Sequence, residues 1–161
     1  MKLNKKMQAI IFITLILDQI SKIVINTFLK ENASIKVLGK FFKLTNVYNE
    51  GAAFSLFDGS KVFLIITSVI SILLLLYMMK DFKNSKLNNI AFGLIYGGIL
   101  GNLIDRLFLG YVRDFLDFNI FGFHYPVFNL ADSFIVIGVI VLIIDLIKGK
   151  KNGVSSKRKQ W

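Results

Sequence analysis

The sequence contains no cysteine, one histidine and one proline in 161 residues. Without cysteine there is no disulfide, no thiolate metal site and no cysteine nucleophile. The chain also cannot itself be anchored through a lipid-modified cysteine. With His124 alone, a zinc site that needs two histidines on one helix is excluded. Acidic residues are scarce too: 10 Asp and Glu stand against 20 Lys and Arg, a net charge of +10. In a soluble protein that excess would suggest nucleic acid. Here the basic residues flank long apolar runs, so membrane topology accounts for them and no nucleic-acid partner is expected.

The hydrophobic share, 55%, is not unusual in itself. Its arrangement is. Residues 62–79 and 87–104 carry no charge at all. At about 1.5 Å per residue each run can cross a hydrocarbon core of about 30 Å. Neither shows the polar stripe of a helix half-facing water. Two further runs complete a set of four expected spans: 7–29, 62–79, 87–109 and 127–147. The first is preceded by Lys2, Lys5 and Lys6, like a signal peptide, but Asp18 and Lys22 interrupt it and no small-residue cleavage site comes after it. It reads as a retained span. The fold class is therefore an all-α membrane protein with four transmembrane helices. Lysines at the N-terminus, Lys80, Lys83 and Lys86 between spans two and three, and the basic C-terminal residues place those three regions on the cytoplasmic side. Residues 1–150 then form one four-helix domain with an outer β-rich loop at about 31–60, and 151–161 a flexible basic cytoplasmic tail near anionic lipid.

Within the outer loop, residues 34–47 are rich in Val, Ile, Phe and Thr, with Gly39 between two halves. That pattern predicts a β-hairpin or small sheet lying on the membrane. Gly51-Ala52-Ala53-Phe54 reads as a tight turn leading to an apolar edge. In span three, Gly93, Gly97 and Gly101 recur every fourth residue, with Gly98 beside them. Such a face lets another helix approach closely. No internal repeat is visible, which argues against an inverted-repeat transporter.

Ionisable residues at membrane depth are costly and usually paired or functional. Asp18 and Lys22, four apart, predict an ion pair within span one. Asp145, beside Lys148, reads as interfacial. Asn102 and Arg106 share a face of span three, and Arg106 could hold a carboxylate or a substrate carbonyl. Asp105, next to Arg106, need not pair with it. Asp114 comes after the outward span three and Asp132 opens the inward span four, so both carboxylates stand at one level. Gly122 and Pro126 help the chain turn back between them. Asn129 predicts a helix N-cap with Asp132 in the first turn, where the helix dipole favours a carboxylate. Two carboxylates in a partly dry site cannot easily both ionise, so the pair can share a proton and activate a water.

Four segments together resemble lipoprotein signal peptidase, also called signal peptidase II. They are Asp18-Gln19-Ile20-Ser21-Lys22, the run from Asn46 to Phe54 containing Asn49 and Gly51, the run from Gly97 to Phe115 containing Asn102, Asp105, Arg106 and Asp114, and Pro126-Val127-Phe128-Asn129-Leu130-Ala131-Asp132. The resemblance spans about residues 8–147. It implies an aspartic endopeptidase with Asp114 and Asp132 as its catalytic pair. Asn49, Gly51, Asn102, Arg106 and Asn129 would line the site or bind substrate, and Asp18 and Lys22 would be structural. It also implies an extracytoplasmic β-cradle with a short helix. The implied substrate is a bacterial prolipoprotein bearing diacylglycerol on a cysteine, cut just before that cysteine at the outer face of the inner membrane. Membrane lipid and a globomycin-type inhibitor are implied partners, a monomer is expected, and no metal or organic cofactor is implied. Arg113 departs from the family pattern, in which an apolar residue is common there, and a cation beside Asp114 would hold its carboxyl down. Tyr125 replaces a common phenylalanine.

Two other readings compete. A serine–lysine peptidase fails because Ser21 and Lys22 are adjacent and cannot face each other on a helix. A small four-helix proton-coupled transporter would need carboxylates near midplane, and only Asp18 sits there. A purely structural assembly factor would leave the clustering of polar residues around Asp114 and Asp132 without a reason.

Overall fold

The apolar runs fold as α1 (Lys5–Phe28), α2 (Lys61–Met78), α3 (Lys86–Phe108) and α4 (Leu130–Arg158). The computed structural model describes residues 1–51 and 61–158, with backbone alone from 149 onward. All four helices are long and apolar enough to cross a membrane. Three begin with side-chain caps: Asn4 accepts from the Met7 N–H, Ser85 from the Asn88 N–H and Asn129 from the Asp132 N–H, each at 3.0 Å. α4 runs without a break past residue 150 to Arg158, through the segment expected as a flexible tail. A single 3₁₀ turn, Met79–Asp81, ends the second span.

Burial is inverted relative to a soluble bundle. α2 buries only Leu64 and leaves Val62, Ile66, Ile70, Leu73 and Leu74 exposed, a surface suited to lipid rather than water. α3 is the central helix, with 67% of its apolar window buried. What it buries is largely small or polar: Gly97, Gly98, Gly101, Asn102 and Asp105.

The glycine row explains how α3 becomes central. A methyl group on Gly93 would lie 2.7 Å from Ile10 Cγ2, and one on Gly97 would lie 2.6 Å from Thr14 Cβ. One on Gly101 would strike the Asp18 carboxylate. Positions 10, 14 and 18 of α1 thus seat against 93, 97 and 101 of α3, each row at a four-residue spacing. Gly98 faces the other way and seats the Ala131 carbonyl and Ile135 of α4. Gly138 of α4, unremarked in the sequence, approaches Ala91 and Ile95. We expect Gly97→Ala to cost about 1–3 kcal/mol by overpacking. Thermal unfolding in detergent checks this, with Thr14→Gly in the same chain restoring part of the loss.

The Met1 amine donates to the carbonyls of Met79 (2.9 Å) and Lys80 (3.1 Å), and the Asn4 amide donates to Asn89 Oδ1 (2.7 Å). The N-terminus and the basic turn between α2 and α3 therefore share one end of the bundle, as their charge predicts.

The other end carries an antiparallel sheet of β1 (Ser34–Leu38), β2 (Phe42–Asn49), β3 (Val112–Ile120) and β4 (Phe123–His124), in that order. The hairpin expected over 34–47 forms, with Gly39 at φ +53° in its turn. β3 was expected only as a returning connection. It pairs with β2 and turns into β4 through Phe121 (φ 51°) and Gly122 (φ 89°), the paired positive φ of a type I′ hairpin. No short helix accompanies the sheet among the described residues. The tight turn expected at Gly51-Ala52-Ala53-Phe54 lies outside them beyond Gly51.

Register in β2 shifts between Leu44 and Val47, where β2 holds one residue more than β3. Before the bulge, Phe42 and Leu44 share a sheet face with Phe118 and Leu116; after it, Val47 and Asn49 share that face with Asp114 and Val112. The bulged segment contains Asn46, whose amide donates to the Leu29 carbonyl at 2.8 Å and docks the sheet on the end of α1.

Candidate active site

Four elements, β2, β3, α3 and α4, converge where the sheet meets the helix ends. Phe128 bridges to Leu116 of β3, its carbonyl accepting from the Leu116 N–H at 2.7 Å. The next residue, Asn129, is thereby set beside Asp114, and α4 starts immediately after it.

Asn129 and Asp132 form a reciprocal cap. Asn129 Oδ1 accepts from the Asp132 N–H at 3.0 Å, and Asp132 Oδ2 accepts from the Asn129 N–H at 3.3 Å. The N-cap expected from sequence is therefore present, and it leaves the Asn129 amide nitrogen free to donate elsewhere. That nitrogen donates to Asp114 Oδ1 at 2.6 Å and to Asn102 Oδ1 at 3.1 Å. Asn102 in turn donates to Asp132 Oδ1 at 2.7 Å. Two amides thus tie the two carboxylates into one cluster. Asn49, brought to the Asp114 face by the bulge, donates to Asp114 Oδ2 at 2.8 Å. Its own oxygen accepts from the buried Gly51 N–H at 3.0 Å, which fixes the amide's orientation.

The two carboxylates differ in setting. Asp114 is 3% exposed, whereas Asp132 is half-buried. Burial pushes the Asp114 carboxyl up from 3.8 to about 7, and the nearby charge of Asp132 adds to the rise. The amides of Asn49 and Asn129 and the charge of Lys22 pull the other way without winning. This overturns the expectation that Arg113 holds Asp114 down. Neighbours on a strand point to opposite faces, so the Arg113 guanidinium turns away from the pair and meets Asp105. Among the described residues, the side chains that hydrogen-bond the Asp114 carboxyl, Asn49 and Asn129, donate to its oxygens.

Arg106, from the same face of α3 as Asn102, feels the charges of Asp132 and Asp114 most among the carboxylates. It makes no ion pair within 4.0 Å among the described residues, and its buried Nε has no hydrogen-bond partner. A buried guanidinium nitrogen without a partner is costly, and a carbonyl oxygen entering the site would satisfy it.

Behind the site lies a buried charge cluster larger than the single pair expected. Lys22 Nζ lies 2.8 Å from Asp18 Oδ2, 2.9 Å from Asn102 Oδ1 and 3.4 Å from Asp105 Oδ2. Asp18 Oδ1 accepts from the Ala131 N–H at 2.9 Å, tying α1 to the start of α4. The Ser21 hydroxyl donates to the Asp18 carbonyl at 2.7 Å, so neither member of the adjacent Ser21–Lys22 pair is free for nucleophilic work. Sequence reasoning missed Gln19 and Arg113, which both contact Asp105. Their signal was the Asp18–Gln19 dipeptide beside a buried pair and an arginine where an apolar residue was expected.

Similarity to known proteins extends along most of the chain. A family model described as "Signal peptidase (SPase) II" matches residues 10–148. Lipoprotein signal peptidases of Staphylococcus aureus strains JH9 and N315 are each 42% identical over 138 residues, covering 85% of this chain and 85% of the relative. A solved structure entitled "Bacterial membrane enzyme structure by the in meso method at 2.3 A resolution" superposes with a TM-score of 0.82 at 39% identity, over 91% of this chain and 90% of that one. A second, at 1.9 Å, gives 0.79 at 39% identity, over 88% and 92%. With four lipid-suited helices, a small antiparallel sheet and this likeness along most of its length, the chain belongs to the signal peptidase II family.

Proposed function

We propose that the protein is a membrane aspartic endopeptidase that removes the signal peptide from diacylglyceryl-modified bacterial prolipoproteins, cutting before the lipidated cysteine. The observation that carries this reading is the single hydrogen-bonded cluster containing Asp114 and Asp132, in which the charge of the second helps to keep the first neutral. In the proposed reaction Asp132 takes a proton from water as it attacks the scissile carbonyl carbon. Asp114 gives its proton to the carbonyl oxygen, and the tetrahedral species then collapses with proton delivery to the leaving amine. Arg106 offers its unpartnered nitrogen to a substrate carbonyl, and Asn49 holds Asp114.

Location supports the same reading. The site lies at the sheet end of the bundle, opposite the lysine-rich turn, so the positive-inside bias directs it to the extracytoplasmic face of the inner membrane. A signal peptide spanning the bilayer would present its cleavage site at that level, with acyl chains remaining in lipid. We assign residues 1–150 to the peptidase unit and 151–161 to a cytoplasmic basic segment. A proton-coupled transporter gains no support from the family, and Asp18, the carboxylate expected near midplane, is instead locked to Lys22 and to the Ala131 N–H at the start of α4, behind the site.

The test is cleavage in vitro. Purified protein in lipid should release the signal peptide from a diacylglyceryl-modified prolipoprotein, leave the unlipidated precursor intact, and be blocked by globomycin. Cleavage that is absent, or that persists at saturating inhibitor, would overturn the assignment.

A further inference from the structure

The strand that carries Asp114 also carries, on its reverse face, a cation paired with a buried carboxylate, for which the proposed reaction has no direct use. Arg113 grips Asp105 as a fork: Nη2 donates to Oδ1 at 2.7 Å and Nε to Oδ2 at 3.2 Å, with the Arg113 backbone N–H adding a third bond to Oδ2 at 3.1 Å. The same Nη2 reaches Gln19 Oε1 at 2.9 Å. Asp18, Asp105, Lys22 and Arg113 thus balance, two negative charges against two positive.

Without Arg113 the balance fails, and Lys22 is the only remaining cation of the cluster for two buried carboxylates. Lys22 has three hydrogens and three neighbours. Its contact with Asp105 is the longest, 3.4 Å, against 2.8 Å to Asp18 and 2.9 Å to Asn102. Such an ordering arises when Asp105 is already satisfied by another cation. The third neighbour matters for the site. Asn102 Oδ1 accepts from Lys22 and from Asn129, which leaves its nitrogen to face Asp132 at 2.7 Å. An amide drawn off by about half an ångström, or flipped, would lose that donation or present its oxygen to Asp132 instead.

We propose that Arg113 is a positioning residue for hydrolysis: by holding Asp105 in a fork it leaves Lys22 free to orient the Asn102 amide toward Asp132. The influence passes from β3 through α3 and α1 and back to the site, although Arg113 touches neither proposed catalytic carboxylate. The proposal rests on the hydrolytic reading above.

The test is the kinetics of Arg113→Met, with Asp105→Asn added as a second change. Arg113→Met should lower kcat by about tenfold with KM unchanged, the size typical of coupling through a packed network. Adding Asp105→Asn removes the competing carboxylate and should return kcat to within a few-fold of wild type. Arg113→Lys, which keeps the charge without the fork, should fall between. The proposal is overturned if Arg113→Met keeps the wild-type kcat, if KM rises to account for the whole loss, or if the double variant is no better than the single. If Arg113→Met does not fold, the double variant is read alone: near-wild-type kcat supports the proposal and a loss of about tenfold rejects it. Failure of wild type to cleave at all would instead reject the hydrolytic reading, so the two failures are distinguishable.

Discussion

Asp114→Asn and Asp132→Asn should each reduce cleavage of a lipidated prolipoprotein to background, an expected loss of about four orders of magnitude, while the protein still inserts and folds. The size reflects removal of the only acid or the only base of a two-carboxyl mechanism, where each proton transfer contributes up to about 10⁴. Shape is kept in both variants. In Asp114→Asn the new carbonyl oxygen still accepts from Asn129, and the new amide nitrogen meets Asn49, at a cost of about one hydrogen bond, roughly 1 kcal/mol. In Asp132→Asn the oxygen keeps the Asn129 N–H, so the reciprocal cap survives, and the new amide nitrogen meets the Asn102 donor instead of accepting from it. Cleavage by either variant at the wild-type rate would end the aspartic reading. Loss of inhibitor binding together with loss of the folded state would show that the substitution had acted on structure instead.

Cleavage should also fall as pH rises above about 7, by about tenfold per unit, so that about a hundredfold is lost by about pH 9. The sign is set by the role. In the proposed reaction Asp114 is the acid; its proton is held up to about 7 by burial and by the Asp132 charge, and above that value the proton-bearing fraction drops in proportion to hydroxide. The same group makes stability depend on pH. Its folded value, about 7, lies above the unfolded 3.8, so the folded state holds the proton more tightly. The stabilisation is fully present below pH 3.8 and is lost as pH rises through about 7. In Asp114→Asn this part of the pH dependence should vanish from the thermal midpoint, which unfolding scans between about pH 4 and about pH 8 would check. A rate flat from about pH 6 to about pH 9 would place the working proton on another group.

Much of this architecture is legible in the sequence because membranes impose simple demands. Uninterrupted apolar runs such as 62–79 have few alternatives, and a glycine every fourth residue on α3 announces a close helix neighbour. Asn129 with Asp132 three residues later reads as a cap without any coordinates. β3 is harder to see. Its alternating positions 112, 114, 116, 118 and 120 include a carboxylate on the buried face, so the apolar period that identifies a strand is broken by the residue of greatest interest. The partner of Asp105 is hidden for a related reason. Arg106 adjoins it in sequence but points elsewhere on the helix, and Arg113 reaches it only because a strand turns alternate side chains to opposite faces. Pairing across elements depends on register, and register is decided by the whole sheet.

The extra residue in β2 between Leu44 and Val47 has an implication for how this protein can vary. It acts as a parity switch: even-numbered side chains line the site face before it and odd-numbered ones after it. Closing the bulge with the chain length kept would put Tyr48 in Asn49's place on the site face and send Asn49 to the opposite side, with no change to either side chain's chemistry. Length variation can accumulate in the Gly39 hairpin turn, where it alters no phase. Between the bulge and Asn49 a single insertion reverses the phase, whereas a single deletion can be absorbed by closing the bulge, so the extra residue is itself the slack that keeps Asn49 on the site face.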